Sequence, residues 1–155
     1  MKHWNFAHKR SVSLTCLAID FGHRYDQLGA TRSLEEAINL TREALDLYPA
    51  GHPDRPTSLN TLGVRLTTRY ERLGAMEDLH EAIILGKEAP DLRPHGHHHR
   101  SMSLNNLAIC LSTLYDQLGV TEDLDEAIVL DRESFHLHPQ GHPSRSMSLN
   151  NLANH

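Results

Sequence analysis

A period of 45 residues constrains this chain more than any other feature. Leu14, Leu59, Leu104 and Leu149 stand 45 apart, as do Tyr25, Tyr70 and Tyr115, and Gly51, Gly96 and Gly141. Three full copies run 11–55, 56–100 and 101–145, and 17 of their 45 positions are identical in all three. Residues 1–10 precede them as an N-terminal cap, carrying Trp4 and Phe6, and a partial fourth copy occupies 146–155. A repeat of this length cannot bury its apolar face alone, so the copies must stack into one repeat domain spanning 1–155.

Within each copy the apolar spacing is helical, twice over. Leu14, Leu17, Ala18, Phe21, Tyr25 and Leu28 fall on one helical stripe, as do Leu34, Ala37, Ile38, Thr41, Ala44, Leu45 and Tyr48. Gly29, Gly74 and Gly119 sit where a left-handed residue would end the first helix. Ser33, Asp78 and Asp123, each followed three residues later by Glu36, Glu81 or Glu126, predict a capping box opening the second helix. Pro49, Pro94 and Pro139 close it. Pro90, replacing Leu45 and Phe135 of the other copies, would clash with the Gly86 carbonyl, so this helix is expected to end or kink near Ala89. No segment alternates long enough for a strand. The expected fold is all-α, a right-handed solenoid of stacked antiparallel helical hairpins.

Composition excludes several classes. Hydrophobic residues are 39% and aromatic residues 5%, with a net charge of −5, as in a soluble globular chain. No apolar run approaches a membrane span, and the N-terminus lacks a signal peptide's apolar stretch. Cys16 and Cys110 occupy non-equivalent positions, which supports neither a zinc ribbon nor a disulfide framework and fits a cytoplasmic protein. The acidic balance and the lack of a Lys/Arg stripe argue against nucleic acid.

Chemical constellations reduce to structure. The thirteen histidines crowd most at His95, His97, His98 and His99, but this is a drifted copy of the Gly-His-Pro turn, so no metal site is expected. Glu36, Glu81 and Glu126 are explained by capping, not acid–base chemistry. Glu43, Glu88 and Glu133, beside Arg42, Lys87 and Arg132, and the recurring Arg55, Arg100 and Arg145, predict ion pairs between neighbouring hairpins. No phosphate loop, Ser/His/Asp set or metalloprotease motif is present. Neither enzyme activity nor a cofactor is expected.

These residues resemble the tetratricopeptide repeat. Leu59, Leu62, Gly63 and Leu66 match its first helix; Ala82, Ala89 and Pro94, Ala37, Ala44 and Pro49, and Ala127, Ser134 and Pro139 match its second. The second-helix aromatic is replaced by Thr41, Gly86 and Asp131. The repeat is about eleven residues longer than the usual 34. With Leu-Asn-Asn-Leu-Ala at 104–108, it is similar to the long repeats of kinesin light chains and to arrays in fungal proteins that carry a caspase-like CHAT domain.

The resemblance implies a scaffold that binds a peptide or a partner helix in a concave groove of first-helix residues: Thr15, Asn60, Thr61, Asn105, Asn106, Asn150 and Asn151. Asparagine offers a donor and an acceptor together, suited to an extended backbone; alternatively these residues satisfy helix ends or face water. A second functional reading is a detached or truncated repeat region of a larger regulatory protein, such as a CHAT-type protease. On that reading the uncapped C-terminal end would leave Ile128 and Phe135 exposed and promote self-association.

Overall fold

The structure, a computed structural model, describes residues 2–93, 98–138 and 143–154; of 2–8, 98, 143, 144, 147 and 154 it describes the backbone alone. Among the described residues there are seven helices and no strand: α1 (Lys2–Leu28), α2 (Thr31–Leu47), α3 (Arg55–Leu73), α4 (Met76–Asp91), α5 (His98–Leu118), α6 (Thr121–Leu137) and α7 (Pro143–Asn154). α1 packs on α2, α3 on α4 and α5 on α6. Each hairpin then stacks on the next through α2–α3, α4–α5 and α6–α7, with α3 also touching α5 directly. The result is an all-α solenoid of helical hairpins. Residues 2–10 are continuous with the first copy's first helix.

The turns inside the hairpins follow the glycines. Gly29, Gly74 and Gly119 adopt φ of 63°, 72° and 69°, and each donates its N–H to the tyrosine carbonyl four residues back at 2.7 Å. A left-handed residue at this position costs glycine little and reverses the chain within two residues.

That tight reversal overturns the expected capping boxes. α2, α4 and α6 start before Ser33, Asp78 and Asp123, at Thr31, Met76 and Thr121; their N-caps, Ala30, Ala75 and Val120, make no side-chain cap bond. Ser33, Asp78 and Asp123 therefore lie in the first turn, and the glutamates lie beyond it, too far along to cap. Asp78 is buried and takes a bidentate pair from Arg69 on α3, at 2.6 and 2.7 Å. Glu81 and Glu126 accept from Arg42 and Lys87 of the preceding second helix. The sequence pattern was right about recurrence and wrong about its use: the glutamates link hairpins.

The recurring arginine ties three helices. Arg55, at the start of α3, reaches the Leu45 and Tyr48 carbonyls that end α2, and its Nε donates to Glu88 on α4 at 2.9 Å. Arg100 repeats this with the Pro90 and Arg93 carbonyls and Glu133, and Arg10 pairs with Glu43. A cation at a helix C-terminus meets the negative end of the helix dipole and orphan carbonyls. These Arg–Glu pairs join the two helices of one hairpin, while Arg42–Glu81 and Lys87–Glu126 join neighbouring hairpins, so the expected inter-hairpin pairs divide into two kinds.

Pro90 does not stop its helix at Ala89. α4 runs to Asp91, 16 residues against 17 in α2 and α6. Proline cannot donate to the Gly86 carbonyl, but it sits one residue before the helix end and its own carbonyl is held by the Arg93 N–H and by the Arg100 guanidinium.

Leu34, Ile38, Leu59, Leu62, Leu66, Leu79 and Leu111 form the centre of one continuous core. Gly86 lets Leu107 approach α4 closely; a Cβ there would meet the Leu107 side chain at 3.1 Å. Leu17, the counterpart of buried Leu62 and Leu107, is 47% exposed. Leu28, expected on the core stripe, is 72% exposed at the hairpin tip, like Leu73 and Leu118.

At the other end α7 packs on α6. Ser134 bonds Ser148 at 3.1 Å, Ile128 and Phe135 are half-buried, and Arg145 lies 3.9 Å over the Phe135 ring. The expected exposure of Ile128 and Phe135 is thus corrected by a stub that forms helix. Pro94, His95, Gly96, His97, Pro139, Gly141 and His142, and the side chains of Trp4, Phe6 and His98, lie outside the described residues.

Candidate functional site

The seven groove residues divide by their place on the first helices. Thr15 is half-buried: its hydroxyl donates to the Ser11 carbonyl at 2.9 Å and meets the Tyr48 hydroxyl at 3.0 Å. Asn60 and Asn105, 45 apart, are both buried between successive first helices. Asn60 Nδ2 donates to Ser103 Oγ and Asn105 Oδ1 accepts from Asn151 Nδ2, each at 2.9 Å. Their amides are thus used along the stack, where burial without partners would be costly.

The remaining positions face outward to different degrees. Thr61 is half-buried, with its hydroxyl turned back on the Thr57 carbonyl at 2.9 Å. Asn106 lines a cleft. Asn150, in the register of Asn60 and Asn105, is exposed.

An apolar register beside them went unnoticed in the sequence. Ile19, Val64 and Ile109 stand 45 apart on α1, α3 and α5 and remain 44%, 43% and 41% exposed. Three β-branched side chains in one register of a stack make an apolar line from hairpin to hairpin. The detectable signal was position nine of each copy, Ile-Val-Ile, which falls off the core stripe.

Between α3 and α5 this line borders a cleft of about 200 Å³. Val64, Thr68 and Glu71 come from α3, Ala82 and Gly86 from α4 beneath, and Asn106, Leu107, Ile109 and Cys110 from α5. Thr67 Oγ1 lies 3.3 Å from Cys110 Sγ. Burial pushes the Cys110 thiol up, against a smaller opposing pull from the Thr67 hydrogen bond, and the Glu71 charge adds to the rise. The thiol therefore stays protonated at neutral pH and is no nucleophile.

The corresponding joint between α1 and α3 is filled. Arg65, in the register of Cys110, reaches back to Asp26, in the register of Glu71, with Nη1–Oδ1 and Nη2–Oδ2 distances of 2.7 and 3.2 Å. The hydrogen bond from Arg65 holds the Asp26 carboxyl below its usual value, with burial opposing and the charges of Arg65 and His23 helping. Gly22, where the next copy has Thr67, provides the room: a Cβ there would lie 2.5 Å from Arg65 Nη2.

No other chemistry gathers at these positions. Among the described residues no group of three His, Cys, Asp or Glu could hold a metal ion, and no helix is long and apolar enough to cross a membrane.

A stack of two-helix units with an outward-facing first-helix surface defines the class as an α-helical repeat protein. Residues 57–89, nearly all of α3 and most of α4, match the family model described as tetratricopeptide repeat, and the match supports a repeat protein of the tetratricopeptide type. No curated protein matches the chain. Tetratricopeptide repeats generally mediate protein–protein interaction and are typically non-catalytic.

Proposed function

We propose that this protein is a non-enzymatic interaction scaffold whose first helices receive an extended peptide or a partner helix. The observation that carries this reading is the exposed line Ile19, Val64 and Ile109, continuous with the cleft between α3 and α5. Apolar side chains repeated in register and left half in water favour a partner that repeats along the same axis. Thr61, Asn106 and Asn150 supply hydrogen-bonding groups along the line. In this reading Asn60, Asn105 and Asn151 space and orient the helices that carry the groove, and Thr15 does so by holding Tyr48.

The test compares the proteins retained from the source lysate by the wild-type chain and by Val64→Asp/Ile109→Asp. Both positions are exposed, so the variant is expected to keep its unfolding midpoint and lose the retained partner. Identical retention by a folded variant would refute the groove.

A further inference from the structure

The internal repeat supplies a template for what the open cleft accepts. In the first joint a guanidinium from α3 crosses to a carboxylate on α1, over a glycine. In the second joint the carboxylate is kept, as Glu71, while the arginine is replaced by Cys110. The shortened side chain leaves the cleft of about 200 Å³, lined mainly by apolar groups, with Glu71 on its wall. Among the described residues no cation lies within ion-pair distance of Glu71.

We propose that this cleft receives one basic side chain, arginine or lysine, from the partner segment laid across α3 and α5. Its alkyl stem would pack between Val64 and Ile109, and its cation would reach Glu71 from the outer side of the cleft, because Thr67 stands where Gly22 makes room for Arg65. The inference rests on the groove reading above and adds the chemistry of the partner. Four arguments on the molecule favour this occupant. The volume suits one long side chain and not a helix. The walls are apolar where a stem would lie, as snorkelling arginine and lysine side chains require. The carboxylate has no cation of its own. The chain's net charge of −5 also favours approach of a cationic segment.

Side-chain analogues test this without knowledge of the partner. Butylguanidinium and butylammonium, with pentan-1-ol as the neutral control, are titrated into the isotope-labelled chain and followed by amide and methyl shifts. We expect saturable shifts at Val64, Thr68, Glu71 and Ile109 with one or both cations, with dissociation constants of about 1–50 mM for such small ligands. Whichever cation binds tighter distinguishes an arginine from a lysine reader. Glu71→Gln, at an exposed position, should weaken binding about fivefold or more. Thr67→Gly/Cys110→Arg, which restores both the glycine and the arginine of the first joint, should abolish it by filling the cleft from within.

No saturable shift up to about 100 mM, equal binding of pentan-1-ol, or indifference to Glu71→Gln would overturn the proposal. Should Thr67→Gly/Cys110→Arg fail to fold, Glu71→Gln still decides. If the analogues fail while Val64→Asp/Ile109→Asp still abolishes partner retention, the groove stands and its basic specificity falls. If the analogues bind and retention is unchanged, the cleft is a cation site and the groove reading is refuted.

Discussion

The joint between α1 and α3 is closed by the chain's own side chain, whereas the joint between α3 and α5, built on the same register, is left open. Several lining positions differ between them, and three of these bear on the ion pair: Gly22 becomes Thr67, Asp26 becomes Glu71 and Arg65 becomes Cys110. The leucines beneath them are kept, Leu14 and Leu62 in one and Leu59 and Leu107 in the other. A repeat protein can thus vary its surface joint by joint while conserving the stack, because the core stripe and the joint positions occupy different sides of the first helix.

The strongest way to break this comparison is Gly22→Thr, which puts the second joint's residue into the first. With a Cβ 2.5 Å from Arg65 Nη2, the flexible end of the arginine must swing off Asp26, and the expected loss is about 1 kcal/mol in urea unfolding, the lost pair plus the displaced side chain. Adding Arg65→Cys should recover much of it, because the two positions are coupled. Independent, additive losses would mean that the joint is not the unit.

Arg65→Cys alone should cost less, about 0.5 kcal/mol, since the Asp26 end of the pair is 52% exposed, although the Arg65 side chain is 16% exposed. The same substitution sharpens the electrostatic side. Asp26 has a lowered pKa in the folded chain, so its pairing stabilises above the ordinary aspartate value of 3.8 and fades as pH falls through the lowered one. The stability gap between wild type and Arg65→Cys should therefore narrow below about pH 4. A gap that widens in acid would contradict the assignment.

The smallest expected effect is chemical. Cys16 is exposed and Cys110 buried with a raised pKa. A thiol reagent at neutral pH should modify one cysteine quickly in the native chain and two after denaturation. Rapid labelling of both would show the second joint to be looser than its hydrogen bonds imply.

Much of the fold was legible because it depends on local, repeated chemistry. Apolar spacing identified the helices, and glycine at three equivalent places identified the reversals, since little else tolerates those φ values. The helix starts were misread because Ser-x-x-Glu has the same spacing at a cap as in mid-helix. What decides between them is how soon after Gly29 the chain turns back. Pro90 shortens α4 by one residue against α2 and α6 and does not end it at Ala89; what that costs depends on the donors that reach the last turn, and Arg100 comes from another helix. The asparagines were found by recurrence, but recurrence cannot distinguish an amide facing a ligand from one facing the next repeat. Ile19, Val64 and Ile109 were equally recurrent and were passed over, because exposure is a property of the stack and not of one helix.

The arginine clasp has a practical meaning for anyone who lengthens, shortens or transplants this array. Arg55 closes the hairpin it precedes, joining the end of α2 to Glu88. A module cut at the copy boundary, 56–100, would leave its hairpin without a clasp and carry Arg100, which belongs to the next. Cut one residue earlier, at 55–99, each unit would bring its own cation and its own carboxylate. The natural unit of exchange is offset by one residue from the unit that sequence identity suggests.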